Sequence, residues 1–285
     1  MNIFFDTCRG ASDYASETRS IGVFYSEEKN INLNIHTHDC CEIFFCVKGG
    51  KNFLIDNKVY KVHDGDIFLM NQFEAHKITF EDRLAVERYA LQLHPEFIFS
   101  ASTDKTDLAK CFYSRSKETS NCISLSVEDR EYVTGLFEGM RADGGYGDDV
   151  MKKLLVTELL VFINKRFMTN HSGEEKVQNE QLKKAIRYIN GHLDEELSLE
   201  MIAGSVFISV KQLCKLFKTT LGTTVMKYII GKRISQAKKF LNSGYSVSEA
   251  AFMCGFRDYS NFIRSFTQSV GISPGRYKKE NVGQG

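Results

Sequence analysis

The stretch VSEAAFMCGFRDYSNFIRSFTQSVGISPGRYKK, residues 247–279, decides how the C-terminal third of the chain folds. Its apolar residues recur at helical spacing, and Phe262 and Phe266 stand four apart on one helix face. Ser246-x-x-Glu249 fits a capping box, in which a hydroxyl and a carboxylate satisfy the free N–H groups at a helix start. Ser273-Pro274 sets a capping serine before a proline at the first helical position, and Gly271 suits a helix C-terminus. Ala251 is small enough to let one helix cross another closely. The pattern predicts helix, short turn, helix.

The same unit occurs earlier, in SLEMIAGSVFISVKQLCKLFK (198–218) followed by Gly222. Ala203, Leu213, Phe217 and Gly222 repeat Ala251, Phe262, Phe266 and Gly271, with one extra residue in the second copy near Gly255. Ser209-x-x-Gln212 is a second capping box. Between the copies, VMKYIIGKRISQAKKFLN (225–242) would span about 27 Å as a helix. Recognition helices entering successive major-groove turns sit roughly 34 Å apart, so a connector of this length, with the helix offsets, sets that distance. Gly231 weakens this helix, and its purpose is not visible in the sequence.

Charge agrees with a nucleic-acid partner. Residues 180–280 hold 16 Lys/Arg against 8 Asp/Glu, while the rest holds 21 against 28, an asymmetry hidden inside a net charge of +1.

In these residues the chain resembles the AraC/XylS family of bacterial transcription regulators over about 181–279. Gly255-Phe256, Phe262-x-x-x-Phe266 and Gly271-x-Ser273-Pro274-x-x-Tyr277 carry the likeness, with Tyr228, Arg233, Ala237 and Leu241 between the copies. The resemblance implies that duplex DNA is read by Val210, Lys211, Cys214 and Lys215 of the first copy and by Tyr259, Ser260, Asn261 and Arg264 of the second. Arg264 or Lys211 can donate to guanine, Asn261 can pair with adenine and Val210 can touch a thymine methyl. Lys215, Lys218, Lys232, Arg233, Lys278 and Lys279 suit phosphate neutralisation. The second copy offers more base-reading chemistry than the first.

The first hundred residues read as strands. β-Branched and aromatic runs at 21–25, 31–36, 42–47, 52–56, 66–70 and 86–93 alternate with turn residues such as Gly49-Gly50 and Asp64-Gly65-Asp66, the mark of a sandwich or barrel. His36-x-His38-x-x-x-Glu42-(x6)-Gly49, then Gly65-(x10)-His76, resembles the two motifs of the cupin barrel. Asn30, Asn71, Phe73 and Phe80 depart from the family pattern. Three readings stay open for His36, His38, Glu42 and His76: a divalent transition metal site, a pocket for a polar effector such as a carbohydrate, or a structural polar cluster. Arg88, with Tyr89 and Gln92, lies on a later strand and can contribute to an effector pocket. No cofactor is firmly implied.

From about residue 105 the period turns helical, at 126–141 and 148–167. In the second helix Met151, Leu154, Leu155, Leu159, Phe162 and Ile163 form an apolar face that suits packing on the barrel or a homodimer. The resulting expectation is an α+β chain with a cupin-like effector barrel (1–104), a helical region (105–169), a linker (170–179) and a double helix-turn-helix domain (180–280).

No apolar run approaches the roughly 20 residues of a membrane span, and the N-terminus lacks a signal-peptide pattern. Eight cysteines without a CxxC pair fit a reducing compartment. The sequence thus predicts a cytoplasmic, nucleoid-associated regulator rather than an enzyme: an effector-controlled activator that works with RNA polymerase. The rivals are a metal-dependent cupin enzyme tethered to DNA and a thiol-redox sensor built on Cys40 and Cys41.

Overall fold

The computed structural model describes residues 3–28, 35–80, 86–115, 119–142, 144–169 and 179–282. The chain opens with β1 (Phe4–Phe5) and α1 (Cys8–Thr18). That helix was invisible to an apolar period because its buried residues are the small Ala11, Ser12 and Ala15. Then follow β2 (Ile21–Glu28), β3 (Cys41–Lys48), β4 (Asn52–Ile55), β5 (Lys58–Lys61), β6 (Asp66–Met70), β7 (His76–Thr79) and β8 (Val86–Leu93). The strand expected at 31–36 lies outside the described residues up to 34. His36 is present as an isolated antiparallel bridge to His76.

Next come α2 (Pro95–Ala101), α3 (Lys110–Tyr113), β9 (Cys122–Ser124), α4 (Val127–Arg141) and α5 (Asp148–Thr169). The strands form a six-stranded sheet, β1-β2-β8-β3-β6-β9, and a three-stranded sheet, β5-β4-β7. β9 pairs with β6, so the β unit takes a strand from beyond residue 104, inside the region expected to be helical. Along β3 and β6 both faces are buried. Phe44, Cys46, Phe68 and Met70 point between the sheets toward Phe53, Tyr60 and Ile78. Ile43, Phe45, Ile67 and Leu69 point outward under α3, α4 and α5. This explains why the strands read as continuous apolar runs rather than alternating ones.

The apolar stripe of α5 is wider than its contact. Leu159, Leu160 and Ile163 are buried, and Leu155 and Phe162 pack at the edge of the core. Val150, Met151 and Leu154 face outward, each more than half exposed.

The C-terminal unit is entirely helical: α6 (Glu180–Gly191), α7 (Leu199–Ser205), α8 (Val210–Leu221), α9 (Val225–Asn242), α10 (Val247–Met253), α11 (Tyr259–Val270) and α12 (Pro274–Val282). Of the expected linker, 170–178 falls outside the described residues, and Asn179 caps α6. Both capping boxes form, at Ser209/Gln212 and Ser246/Glu249. Gly222 and Gly271 end α8 and α11 in the left-handed conformation. Each copy buries its own pair, Leu213/Phe217 and Phe262/Phe266.

The two copies meet the β unit differently. The first shares a core with it: Ile35, Leu54, Val59 and Ala75 pack with Ile186, Leu213, Phe217 and Ile229. The second has a separate core around Ile234, Leu241, Phe262, Phe266 and Tyr277. Gly231 now has a reason. A Cβ there would stand 2.8 Å from Ile35 Cγ2, so only glycine admits this approach of α9 to the β unit.

Candidate nucleic-acid interface and effector cavity

α8 and α11 carry the eight residues expected to read DNA. On α8, Lys211, Cys214 and Lys215 are exposed, while Val210 is half-buried against the core of its own copy. On α11, Tyr259, Ser260 and Arg264 are exposed and Asn261 is half-buried. The N-cap Asp258 accepts from the backbone of Ser260 at 2.7 Å and of Asn261 at 3.2 Å, which sets the first turn. Asn261 Oδ1 accepts from Arg264 Nη2 at 3.2 Å and from Ser265 Oγ at 3.4 Å, so the amide and the guanidinium form one polar group. In the present structure Asn261 orients Arg264, and adenine pairing would first break that contact.

Not every basic residue of the unit faces outward. Lys232 Nζ lies 2.5 Å from Asp56 Oδ1, in the β4–β5 turn. Arg233 donates to Leu193 O at 2.9 Å and Glu195 O at 2.6 Å. Lys278 donates to Gly244 O at 2.9 Å. Lys232 and Arg233, read from the sequence as phosphate neutralisers, therefore tie the fold together. Lys215, Lys218 and Lys279 remain exposed.

The four residues of the histidine cluster come together although they span forty positions. His36 and His76 exchange backbone hydrogen bonds at 3.1 and 3.0 Å, His38 follows in the loop, and Glu42 rises from β3. The imidazole centroids stand 4.4, 4.9 and 5.2 Å apart. Glu42 Oε2 lies 3.1 Å from His38 Nε2 and 3.2 Å from His76 Nε2, with both Glu42 and His76 almost fully buried. Burial alone would raise the Glu42 carboxyl, but His76 and His38 override it and hold it well below its ordinary value. Burial would lower His76, but Glu42 overrides that and raises it.

Arg88 is buried on β8, 3.3 Å from Ser26 Oγ, with its guanidinium over the rings of Phe24 and Phe80. It lines the same cavity as the histidines. Tyr89 points the other way, stacked on Phe137 in the outer core. Gln92 is buried, with Nε2 3.5 Å from Cys8 Sγ.

The cavity, about 1150 Å³, is closed on one side by α1 and on another by the second helix-turn-helix copy. Several contacts in and beside its wall went unread in the sequence. Asp39 accepts from Tyr277 OH at 2.6 Å and pairs with Lys238 Nζ at 2.9 Å. No motif links residue 39 to residues 238 and 277, so only tertiary structure reveals the contact. Ser235 Oγ donates to Phe73 O close by. Cys8 also went unread, and it faces His38.

Residues 21–147 match the AraC-like ligand binding domain, and residues 202–280 match a helix-turn-helix domain. The chain belongs to the AraC family of transcriptional regulators. Among its relatives are the HTH-type transcriptional regulator YdeC of Bacillus subtilis, 24% identical over 90% of this chain and 91% of that one, and the HTH-type transcriptional activator RhaR of Escherichia coli, 22% identical over 94% of each. The crystal structure of apo ToxT from Vibrio cholerae aligns with 92% of this chain and 98% of its own, at 14% identity and a TM-score of 0.41. As an AraC-family regulator, not an enzyme, the protein joins a β-rich ligand-binding domain to a helical DNA-binding domain in an α+β fold. No helix among the described residues is long and apolar enough to cross a membrane.

Proposed function

We propose that this AraC-family regulator is an activator switched by a small polar effector, of which a carbohydrate is the leading class, bound in the cavity between the ligand-binding domain and the second helix-turn-helix copy. The observation that carries this reading is the cavity wall. It is built both by His36, His76 and Arg88 and by Lys238, Val270 and Tyr277. A ligand there touches both domains, so its affinity must differ between arrangements of the DNA unit. The name of RhaR, an activator, supports the sign, and an activator implies contact with RNA polymerase. Tyr259, Ser260, Asn261 and Arg264 would supply most of the base reading, with Lys211, Lys215 and Cys214 supplying less. The outward residues Val150, Met151 and Leu154 on α5 are where a second copy of the chain would pack.

Thiol sensing at Cys40 and Cys41 is disfavoured. Burial pushes both up to about 12, which disfavours the thiolate that oxidants attack.

The test is DNA binding by the full chain to fragments selected from random sequence. Arg264→Ala should lower affinity for the selected site by about tenfold or more while leaving random DNA nearly unchanged. Affinity should also fall steeply with salt. Equal loss on both DNAs, or a flat salt response, would sink the reading. Sedimentation of the same protein should show a dimer that Leu154→Glu converts to monomer; a monomer at the outset removes the dimer.

A further inference from the structure

Cys8 sits in the first turn of α1, outside both cupin-like motifs. Its Sγ lies 3.7 Å from His38 Nε2. Cys8, His38 and Glu42 each present a ligand atom within 4.8 Å of the others. The neighbouring contacts are the 3.1 and 3.2 Å separations from Glu42 Oε2 to His38 and His76. Around a tetrahedral ion with N and O donors at about 2.0–2.1 Å and S at about 2.3 Å, adjacent donors stand about 3.3–3.6 Å apart. The Cys8–His38, His38–Glu42 and Glu42–His76 separations are therefore each close to that of neighbouring donors on one ion.

Two further facts point inward to one centre. Glu42 Oε2 and His76 Nε2 are buried and make no hydrogen bond, although only 3.2 Å separates them. His76 Nδ1 lies 2.8 Å from Glu74 O, and a carbonyl only accepts, so Nδ1 carries a proton. In the neutral ring Nε2 is then a lone pair facing a carboxylate oxygen. A cation between them, whether a proton on Nε2 or a metal ion in its place, satisfies both atoms, and a carbonyl-held Nδ1–H is the usual support of a metal-ligating imidazole.

We propose that Cys8, His38, Glu42 and His76 hold a thiophilic divalent ion of the zinc class. The site thereby takes a thiolate from α1 in addition to the imidazoles and carboxylate of the β domain. On binding, the Cys8 thiol releases its proton to solvent and a sulfur–metal bond forms, with no change of oxidation state. Charge balances, because one thiolate and one carboxylate neutralise the dication in the buried site. A sulfur ligand also favours zinc-class ions over magnesium or calcium.

The next residue carries the consequence. Arg9 donates to Val270 O at 2.6 Å, the last residue of α11. One turn of α1 thus faces the donor cluster with Cys8 and holds the end of a DNA-reading helix with Arg9. Metal would fix that turn and, through it, α11. This link to DNA rests on the function proposed above; the metal site does not.

The test uses the full chain, stripped by chelator and titrated with Co²⁺. One equivalent should bind with a thiolate-to-cobalt charge-transfer absorption, and Zn²⁺ should displace it. Cys8→Ser should abolish the absorption and weaken affinity by about tenfold or more. His76→Gln should weaken affinity and keep the absorption, and Cys122→Ser, on β9 and outside both sites, should change neither. Zinc-edge X-ray absorption of the loaded unmutated chain needs no variant and should show one sulfur in the shell. The site is overturned by the absence of stoichiometric binding, by a shell of nitrogen and oxygen alone, or by an absorption that survives Cys8→Ser. DNA binding measured on the same samples separates the two ideas: its loss with an intact metal spectrum rejects the regulatory link and leaves the site standing.

Discussion

Lys238 is 2% exposed, and its ammonium is met by Asp39 at 2.9 Å, by Thr37 Oγ1 at 3.2 Å and by the rings of Phe73 and Tyr277. Asp39→Ala would strand that charge in a buried interface. The expected cost is on the order of 3 kcal/mol, the low end for breaking a buried pair, because a quarter of the Asp39 side chain meets solvent. Calorimetry of the full chain checks this, and an unchanged melting temperature would show that the contact does not hold the domains. Lys77 behaves differently. Burial, with nearby Lys218 and Lys227, pushes it from 10.5 down to about 8, while its Nζ donates to Gly222 O at 2.8 Å. A folded value below the unfolded one means the unfolded chain holds more protons between pH 8 and 10.5, so stability rises with pH across that window. Lys77→Met should remove this rise; parallel melting curves for both proteins from pH 7 to 9.5 would contradict it. At this scale the sequence was informative where residues sit inside motifs. His36, His38, Glu42 and His76 were legible by spacing and do converge. Cys8, Asp39 and Lys238 have no local pattern, because their partners lie 30 or more positions away.

Among the elements, α9 shows how a local rule yields to tertiary structure. Gly231 costs helix propensity of about 1 kcal/mol against alanine. Gly231→Ala should nonetheless destabilise the full chain, because its Cβ would press on Ile35. Trimming Ile35→Ala in the same chain should recover part of the loss, and a double-mutant cycle measures the coupling. Simple additivity of the two changes would show that the close approach is not what requires glycine. The helices of the DNA unit were legible because caps and glycine stops mark their ends chemically. β9 was not, since three residues between helices carry no period, and its place is set by pairing with β6. α1 was not, because it packs by small size: a Cβ at Gly22 would fall 2.2 Å from Ala11 O.

On the scale of the whole molecule, the two helix-turn-helix copies are unequal in attachment. The first shares its apolar core with the β domain, while the second meets it through polar contacts at Asp39 and Val270. Amide exchange should therefore protect α8 together with β4 and β7 as one cooperative unit, and α10 and α11 as another. If α8 exchanges with α11 instead, the DNA unit is the cooperative body and the shared core is weak. Under the switching proposed above, this asymmetry would let an effector move the second copy without unfolding the first.

The shared core also has a consequence for the order in which the protein is made. Ile35, Leu54, Val59 and Ala75 leave the ribosome early, whereas Tyr228 and Ile229, which help to cover them, come about 150 residues after the last of these. At about 5–20 residues per second the growing chain carries that uncovered apolar patch for roughly 8–30 s. Newly synthesised β domain is therefore sticky by construction, and the first helix-turn-helix copy acts as its own late-arriving chaperone.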